Sequence, residues 1–574
     1  QKDAGGTNNW GQIQKITAST RAANDNFGYS VAISGDYVVV GAYLEDEDAS
    51  EANTLNEAGS AYIFYNTLPP ATTTWNGTSW DNGAPTATVD AVINGNYAGA
   101  SFEAKSLTVN STFTLQINGG NCVTINQTFT NNGTVNVANG GSLVQKTGST
   151  IAGTGVYNID RTGWNANTRY NYVSSPITSA NLSSYTSLKY WYNEAANNTN
   201  PLDDWAVASG VMTAGRGYAV TAHGANTFTG TPNNGNISIP VTLTGIVGPD
   251  NGWNLIGNPY PSGISVAAFI TANASLLNVG AVYYWDDDNS AGSGYASADY
   301  AVYNGAGFVS GGNSNFTGGE NIPVGQGFFV QTNASGNINF TNAMRSCTSA
   351  SALFRTAADG IESVKLFVKG DSAYNETLIA FADDATTGKD FVYDAPKKVS
   401  ATAKAQLYTT QGSEKYAIQG LPIGTESVDL GLTTSKAGSY TLGIKESNLP
   451  SGISVYLEDA NGTTVADLTA AHYVARASNT SNYKLRFART SAVTGLSDFA
   501  TQAVTVFPNP TTGILTVSGF ENATSLVVLN ITGNTVLTQT TVTETLDITA
   551  LPAGIYLVEI WTATGKTVTK IIKF

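Results

Sequence analysis

Acid–base and nucleophilic chemistry at neutral pH draws most often on histidine, and this chain has two, His223 and His472. A Ser-His-Asp or Cys-His site needs its base within hydrogen-bond reach of a nucleophile, and no Gly-x-Ser-x-Gly elbow accompanies either residue. His223 follows the apolar stretch 218–220 and reads as a strand-end residue. His472 stands beside Tyr473 and reads as structural or exposed. Carboxylates are the other source of chemistry, since glycoside hydrolysis needs only two of them facing a cleft. The clusters are Asp286-Asp287-Asp288 and Asp383-Asp384. Neighbours on a strand point to opposite faces, so adjacent aspartates do not make a facing acid–base pair. In a loop, the first cluster reads as solvated, or as a calcium site through Asp286 and Asp288. Tyr283, Tyr284, Trp285, Tyr295 and Tyr300 surround it. Read as exposed, they offer a stacking platform for sugars; core packing is the commoner role for such rings. The acidic run Glu45-Asp46-Glu47-Asp48 lacks the alternate spacing that places several oxygens around one ion, and reads as a solvated loop. No catalytic constellation emerges. The expected protein is not an enzyme and needs no cofactor beyond that calcium site.

The elements that would position these residues are strands. The chain has 574 residues, too many for one core, and only 12% are charged, while glycine alone numbers 60. Such a composition suits many short strands separated by turns and disfavours helices, with 266–277 the best helical candidate. A net charge of −15 disfavours nucleic acid and anionic membranes as partners. No apolar run approaches the roughly 18 residues that span a bilayer. No signal peptide is present, so a secreted chain starting at Gln1 reads as a mature or trimmed form. Cys122 and Cys347 match no metal-ligand spacing; either they pair in an oxidising compartment, or they are two isolated buried thiols.

Along the chain the patterning predicts an all-β, multidomain protein. Residues 1–66 hold short alternating runs at 31–33, 37–40 and 61–65. Residues 67–165 carry short strands at near-regular spacing, separated by Asn-Gly or Gly-Gly turns, which reads first as a small β-solenoid and second as a sandwich. Trp75 and Trp80 precede it and are placed to cap its open end. An internal duplication follows, over 166–251 and 252–352. Tyr170-Asn171-Tyr172-Val173 matches Trp253-Asn254-Leu255-Ile256, Tyr190-Trp191-Tyr192 matches Tyr284-Trp285-Asp286, and Gly215-Arg216-Gly217-Tyr218 matches Gly325-Gln326-Gly327-Phe328. The two copies make either tandem sandwiches or two halves of a larger one. Residues 353–490 read as a further β-sandwich, and 502–574 as a compact sandwich of about seven short strands near the lower size limit for an independent core.

Four blocks in that last segment carry a resemblance. Val504-Thr505-Val506-Phe507-Pro508-Asn509-Pro510-Thr511-Thr512-Gly513, Val527-Val528-Leu529-Asn530-Ile531-Thr532-Gly533, Leu546-Asp547-Ile548-Thr549-Ala550-Leu551-Pro552-Ala553-Gly554-Ile555-Tyr556 and Lys570-Ile571-Ile572-Lys573-Phe574 resemble the Ig-like, type A C-terminal sorting domain of type IX secretion substrates from Bacteroidota. The resemblance implies a sorting signal centred on Pro508, Asn509, Pro510, Gly513, Gly533, Leu551, Gly554, Tyr556, Lys570 and Lys573. Gly533 and Gly554 fall where turns are expected to need positive φ. It also implies export across the outer membrane, with a translocon barrel and its shuttle subunit as partners. A cell-surface sortase-like protease normally removes the domain, so a chain running through Phe574 reads as uncleaved. Phe27-Gly28-Tyr29-Ser30-Val31-Ala32-Ile33-Ser34-Gly35-Asp36 with Gly59-Ser60-Ala61-Tyr62-Ile63-Phe64 resembles an FG-GAP repeat, the blade unit of integrin-like propellers. One blade cannot bury both its faces, which implies neighbouring blades upstream. Asn258-Pro259-Tyr260-Pro261-Ser262 resembles a module of secreted Bacteroidota surface proteins, and Asp371-Ser372-Ala373 resembles their O-glycosylation signal, with Ser372 as acceptor. The function these features imply is that of an adhesin or gliding-associated surface protein with a glycan or cell-surface ligand. The alternative is a polysaccharide-binding or polysaccharide-degrading protein whose catalytic module lies upstream.

Overall fold

Turn residues at short intervals cut this chain into strands too brief to be stable singly, and the fold is the set of ways they stack. The computed structural model describes residues 15–19, 24–34, 37–46, 54–65, 72–163, 169–185, 188–195, 204–221, 225–245, 248, 251–286, 300–311, 319–347, 361–371, 373–399, 403–489, 505–518, 523–530, 534–562 and 565–574. They fall into two compact units, Gln1–Arg489 and Thr490–Phe574.

The first unit opens with an antiparallel meander, Phe27–Ser34, Tyr37–Ala42 and Ser60–Tyr65, in which Val40 faces Val31 on one side and Tyr62 on the other. Alternation puts apolar side chains on both faces, and Tyr29, Val31, Ile33 and Ile63 remain exposed. The described half of the acidic run beside it departs from the solvated loop expected from sequence. Glu45 is buried and accepts a 2.6 Å hydrogen bond from the Tyr62 hydroxyl, and Asp46 accepts one from the Glu57 N–H. Glu47 and Asp48 lie outside the described residues.

Residues 72–162 wind into a three-sided parallel coil, the solenoid that the regular strand spacing predicts. One side stacks Thr72–Trp75, Asp90–Ile93, Leu107–Val109, Thr128–Asn131 and Thr150–Ala152; the others stack Phe102–Ala104, Cys122–Ile125 and Ser142–Gln145, and Thr114–Ile117, Thr134–Val137 and Val156–Thr162. Equivalent positions superpose from rung to rung: Leu107 over Phe129 over Ile151, Leu115 over Val135 over Tyr157, Val123 over Leu143. Each three- or four-residue strand contributes an inward side chain or two, and the stack supplies the continuous core that no rung has alone. The corners are tight. Gly153 takes φ +90°, and a Cβ there would lie 2.1 Å from the Asn131 carbonyl oxygen. Trp75 and Trp80 pack with Tyr97 at 5.0 and 5.6 Å on the first rung, and strand Ala225–Thr229 pairs antiparallel with Val156–Thr162 at the other end.

The duplicated segments form two sheets with the same strand order. The first runs Asn171–Val173, Tyr218–Val220, Lys189–Tyr192, Trp205–Val207; the second runs Trp253–Gly257, Gly327–Gln331, Ala281–Trp285, Tyr300–Asn304, Gly307–Val309. The register repeats too. Asn171 faces Val220 and Tyr172 faces Ala219, as Asn254 faces Val330 and Leu255 faces Phe329. Tyr172, Tyr192, Trp205, Trp253, Tyr283 and Phe329 make one aromatic core between the copies. A two-stranded pairing of Ile237–Val241 with Gly336–Phe340 crosses the boundary that sequence alone suggests at 251. The helical expectation over 266–277 shortens to Val266–Asn273, capped by the Ser265 hydroxyl accepting from the Ala268 N–H.

Cys122 and Cys347 are joined in a disulfide, which settles the alternatives left by sequence. It ties the second side of the coil to the end of the duplicated region. Buried Arg345 reinforces the junction, donating to the Leu143 carbonyl at 2.7 Å and to the Ser262 hydroxyl at 3.1 Å. Residues 362–489 then build one nine-stranded sheet. Strand Glu362–Gly370 pairs both with Ala373–Ala382 and with Ser427–Ser447, so five strands close on themselves around Leu366, Ile379, Leu407 and Leu430.

The second unit is a seven-stranded sandwich. Thr505–Phe507, Ile514–Ser518 and Thr545–Asp547 form one sheet; Thr535–Gln539, Ala523–Asn530, Gly554–Thr562 and Gly565–Lys573 form the other. Its core is Leu515, Val517, Leu526, Val528, Leu546, Val558, Ile560 and Ile571.

Candidate functional site

Two sequence blocks of the C-terminal unit, 504–513 and 546–556, meet at its last strand, Gly565–Lys573, while 527–530 pairs one strand further in, with Gly554–Thr562. Pro508 and Pro510 have no N–H to give a ladder, so the first strand stops at Phe507. Asn509 between them does the pairing with its side chain. Its Nδ2 donates to the Lys570 carbonyl at 2.6 Å, and its Oδ1 accepts from the Ile572 N–H at 2.9 Å. Thr511 continues with main-chain bonds, its N–H to the Ile572 carbonyl and the Phe574 N–H to its own carbonyl. Gly513, at φ +140°, lets the chain turn against Thr549, where a Cβ would stand 2.6 Å from the threonine methyl; its carbonyl accepts from the Ile548 N–H at 2.7 Å. The neighbouring Asp547 carboxylate accepts from the Thr549 hydroxyl and N–H, which hold it below the usual carboxylate range.

Leu551 packs half-buried against the core, and the buried Tyr556 sends its hydroxyl back to the Pro552 carbonyl at 2.7 Å, pinning the turn. Gly554 corrects an expectation. It is the first residue of its strand, opposite Lys573, without positive φ, and a Cβ there would meet only the Tyr556 ring at 3.9 Å. The strand pairing already sets an extended backbone at that position. Lys570 is exposed and Lys573 buried, while Gly533 lies outside the described residues.

Alternation along the hairpin sorts its side chains cleanly. Tyr556, Val558 and Ile560 face the core, and Ile555, Leu557 and Trp561 face outward. Val568 stands opposite Glu559, and Lys570 opposite Leu557, so they share the outer face. Ile555, Leu557, Trp561 and Val568 are exposed. The outcome is an outer face on which Ile555, Leu557, Trp561 and Val568 are interspersed with Glu559 and Lys570, which the motif residues alone did not reveal. Its signal was present in the alternation of residues 555–561.

The structure does not bring the other candidates together. Tyr283, Tyr284, Trp285 and Tyr300 are buried in the core of the duplicated region, not exposed, so they offer no stacking platform for sugars. The physical reason is that their two strands, Ala281–Trp285 and Tyr300–Asn304, are both interior to the sheet and buried along it. Asp286 at the end of the first is buried, with the Ser310 hydroxyl 3.4 Å from Oδ2; Asp288 and Tyr295 lie outside the described residues. Among the described residues no group of three or more His, Cys, Asp or Glu is placed to hold a metal ion. Asp383 and Asp384 sit in an exposed turn, where Asp384 accepts from the Tyr393 hydroxyl. His472 packs edge-on against Phe367, with ring centres 5.2 Å apart. His223 and Ser372 lie outside the described residues, although Asp371 beside the latter is exposed.

A family model described as a domain of unknown function, DUF8693, matches residues 70–489. The chain belongs to that family. The matched span starts with the coil and ends with the nine-stranded sheet. The FG-GAP repeat model matches residues 10–64, and the secretion system C-terminal sorting domain matches 505–574. The chain is therefore a type IX secretion substrate, exported across the outer membrane to the cell surface or beyond. The description of none of the three families names a catalytic activity. No curated protein matches the chain. Among solved structures it is similar to a biofilm associated protein, BSP domain, at 11% identity, covering 72% of this chain and 90% of that one; the TM-score of 0.11 is too low to bear on fold or function.

Proposed function

We propose that this is a non-catalytic binding protein of the cell surface, an adhesin or gliding-associated protein, delivered by a C-terminal unit that docks on the translocon barrel and its shuttle subunit. The observation that carries the reading is the folded sorting sandwich with its outward patch of Ile555, Leu557, Trp561 and Val568. Exposed apolar side chains gathered on one face of a sheet mark an interaction surface. Thr535–Gln539 is an edge strand of that sheet, whereas the other edge, Gly565–Lys573, is already met by Asn509 and Thr511; main-chain pairing along the first edge is a second contact mode we favour. After translocation, a sortase-like protease on the surface would release the unit. The passenger contributes rigid stacked β-structure and binds a surface ligand.

The docking claim is tested with Leu557→Asp and Trp561→Asp in the full chain, followed by fractionation of cells and medium. Unchanged melting with loss of export supports docking through this face; normal export of both variants refutes it. The passenger claim is tested by attachment and gliding of a strain lacking residues 70–489. Unaltered behaviour on every surface tried would count against an adhesin.

A further inference from the structure

The closed part of the nine-stranded sheet buries a lysine against an amide. Lys397 follows the short strand Ala395–Pro396, and Asn375 lies on the strand Ala373–Ala382. Both are buried, Asn375 completely. The Lys397 Nζ donates to the Asn375 Oδ1 at 2.7 Å and to the Glu376 main-chain carbonyl at 3.0 Å, so both acceptors are neutral. The Glu376 carboxylate, also fully buried, is engaged elsewhere: it accepts from the Tyr374 hydroxyl, the Ser310 N–H and the Lys445 ammonium. Burial pushes the Lys397 ammonium down to about 7, against the opposing pull of the Glu376 charge. A large share of the lysine is thus the neutral, nucleophilic amine near neutral pH.

The amide is arranged as an electrophile. Its Oδ1 accepts a second hydrogen bond, 3.0 Å from the Leu407 N–H, and its Nδ2 donates to the Gly311 carbonyl at 3.1 Å. A fixed main-chain donor on the carbonyl oxygen is the feature that stabilises negative charge in a tetrahedral intermediate. With a C=O bond of about 1.2 Å, the Nζ of Lys397 stands no further than about 3.9 Å from Cγ, close to the roughly 3–3.5 Å of reacting atoms held for attack.

We propose that Lys397 and Asn375 join in an intramolecular isopeptide bond, formed by the folded protein itself. The neutral Nζ attacks Cγ, and the charge that develops on Oδ1 rests on the Leu407 N–H. A proton passes from Nζ to Nδ2, the Cγ–Nδ2 bond breaks, and ammonia leaves. One C–N bond forms and one breaks, with no oxidant or cofactor. The product replaces a buried ammonium by a neutral amide, removing the desolvation cost of an ion without a directly bonded counter-charge. It also closes the segment between residues 375 and 397 covalently, next to the strands that close the sheet. This inference does not depend on the ligand of the passenger.

The test is mass spectrometry on the full chain, reduced and denatured, with peptide mapping. The expected result is a mass one ammonia below that of the sequence, and a branched peptide carrying Lys397 on Asn375. The variant Lys397→Met should restore the missing ammonia and abolish the branched peptide. Finding residues 375 and 397 in separate linear peptides of unmodified mass overturns the proposal. So does an ammonia loss that maps to cyclisation of Gln1 alone.

Discussion

At the scale of single residues, the sorting unit is held by a few side chains that replace what proline and turn geometry remove. Asn509 supplies an acceptor and a donor where Pro508 and Pro510 leave the backbone short, and it spends both on the last strand. Gly513 is the glycine that the fold requires, because its positive φ and the nearby Thr549 exclude a side chain. Gly513→Ala is expected to destabilise the C-terminal unit by about 1–3 kcal/mol, from backbone strain and the clash together. Differential scanning calorimetry of the full chain checks this as a lowered transition for that unit alone. By the same measure Gly554→Ala should be nearly neutral to stability, since nothing in the fold crowds its Cβ. If Gly554→Ala nevertheless lowers export, that glycine belongs to recognition. The candidate residues of 283–300 show what sequence hides at this scale. A run of aromatics beside aspartates looks the same whether its strand is at an edge or at the centre of a sheet. Only the partners in space, such as Trp253 against Tyr283 at 4.8 Å, decide it. The Lys397–Asn375 pair was invisible for the same reason, since neither residue type signals its neighbour.

At the scale of elements, periodicity carried most of the information. The near-regular spacing of short strands between Gly and Asn turns was enough to expect the coil, and the internal duplication reappears as two sheets of equal strand order and register. What the pattern did not convey was length and closure. The strands Ser427–Ser447 and Tyr473–Arg489 carry many Ser, Thr, Lys and Arg residues, and they are the longest among the described residues, far beyond the short run 440–444 that sequence picks out. Their polar residues lie on faces turned to solvent, so local composition misrepresents an element that long-range pairing defines. The coil, by contrast, depends on stacked apolar side chains. Phe129 is fully buried between Leu107 and Ile151 and packs its ring 5.7 Å from that of Tyr157. Phe129→Ala is expected to cost about 3–5 kcal/mol, read by chemical denaturation of the first unit. The transition of the C-terminal unit should not move.

At the scale of the whole molecule, the protein reads as a passenger and an address. The passenger's coil, duplicated sheets and nine-stranded sheet form one compact unit, fastened by Cys122–Cys347 across 225 residues of sequence. A bridge of that reach restricts the unfolded chain strongly, and its loss through Cys122→Ala with Cys347→Ala is expected to cost about 2–5 kcal/mol. The effect should be absent under reducing conditions, where both proteins melt alike. An exported chain meets an environment in which such a bond persists. The address is the C-terminal sandwich, whose blocks were legible as a motif before the structure showed what joins three of them: 504–513 and 546–556 secure or flank the final strand, which carries the fourth block read from sequence, 570–574, while 527–530 supports the neighbouring strand. The measurement that bears most directly on the account follows from this. A strain producing the chain without residues 505–574 is compared with one producing the full chain, by fractionation into periplasm, surface and medium. The account predicts that the truncated protein, still folded, is retained in the periplasm. Its arrival at the surface or in the medium at the level of the full chain would contradict it.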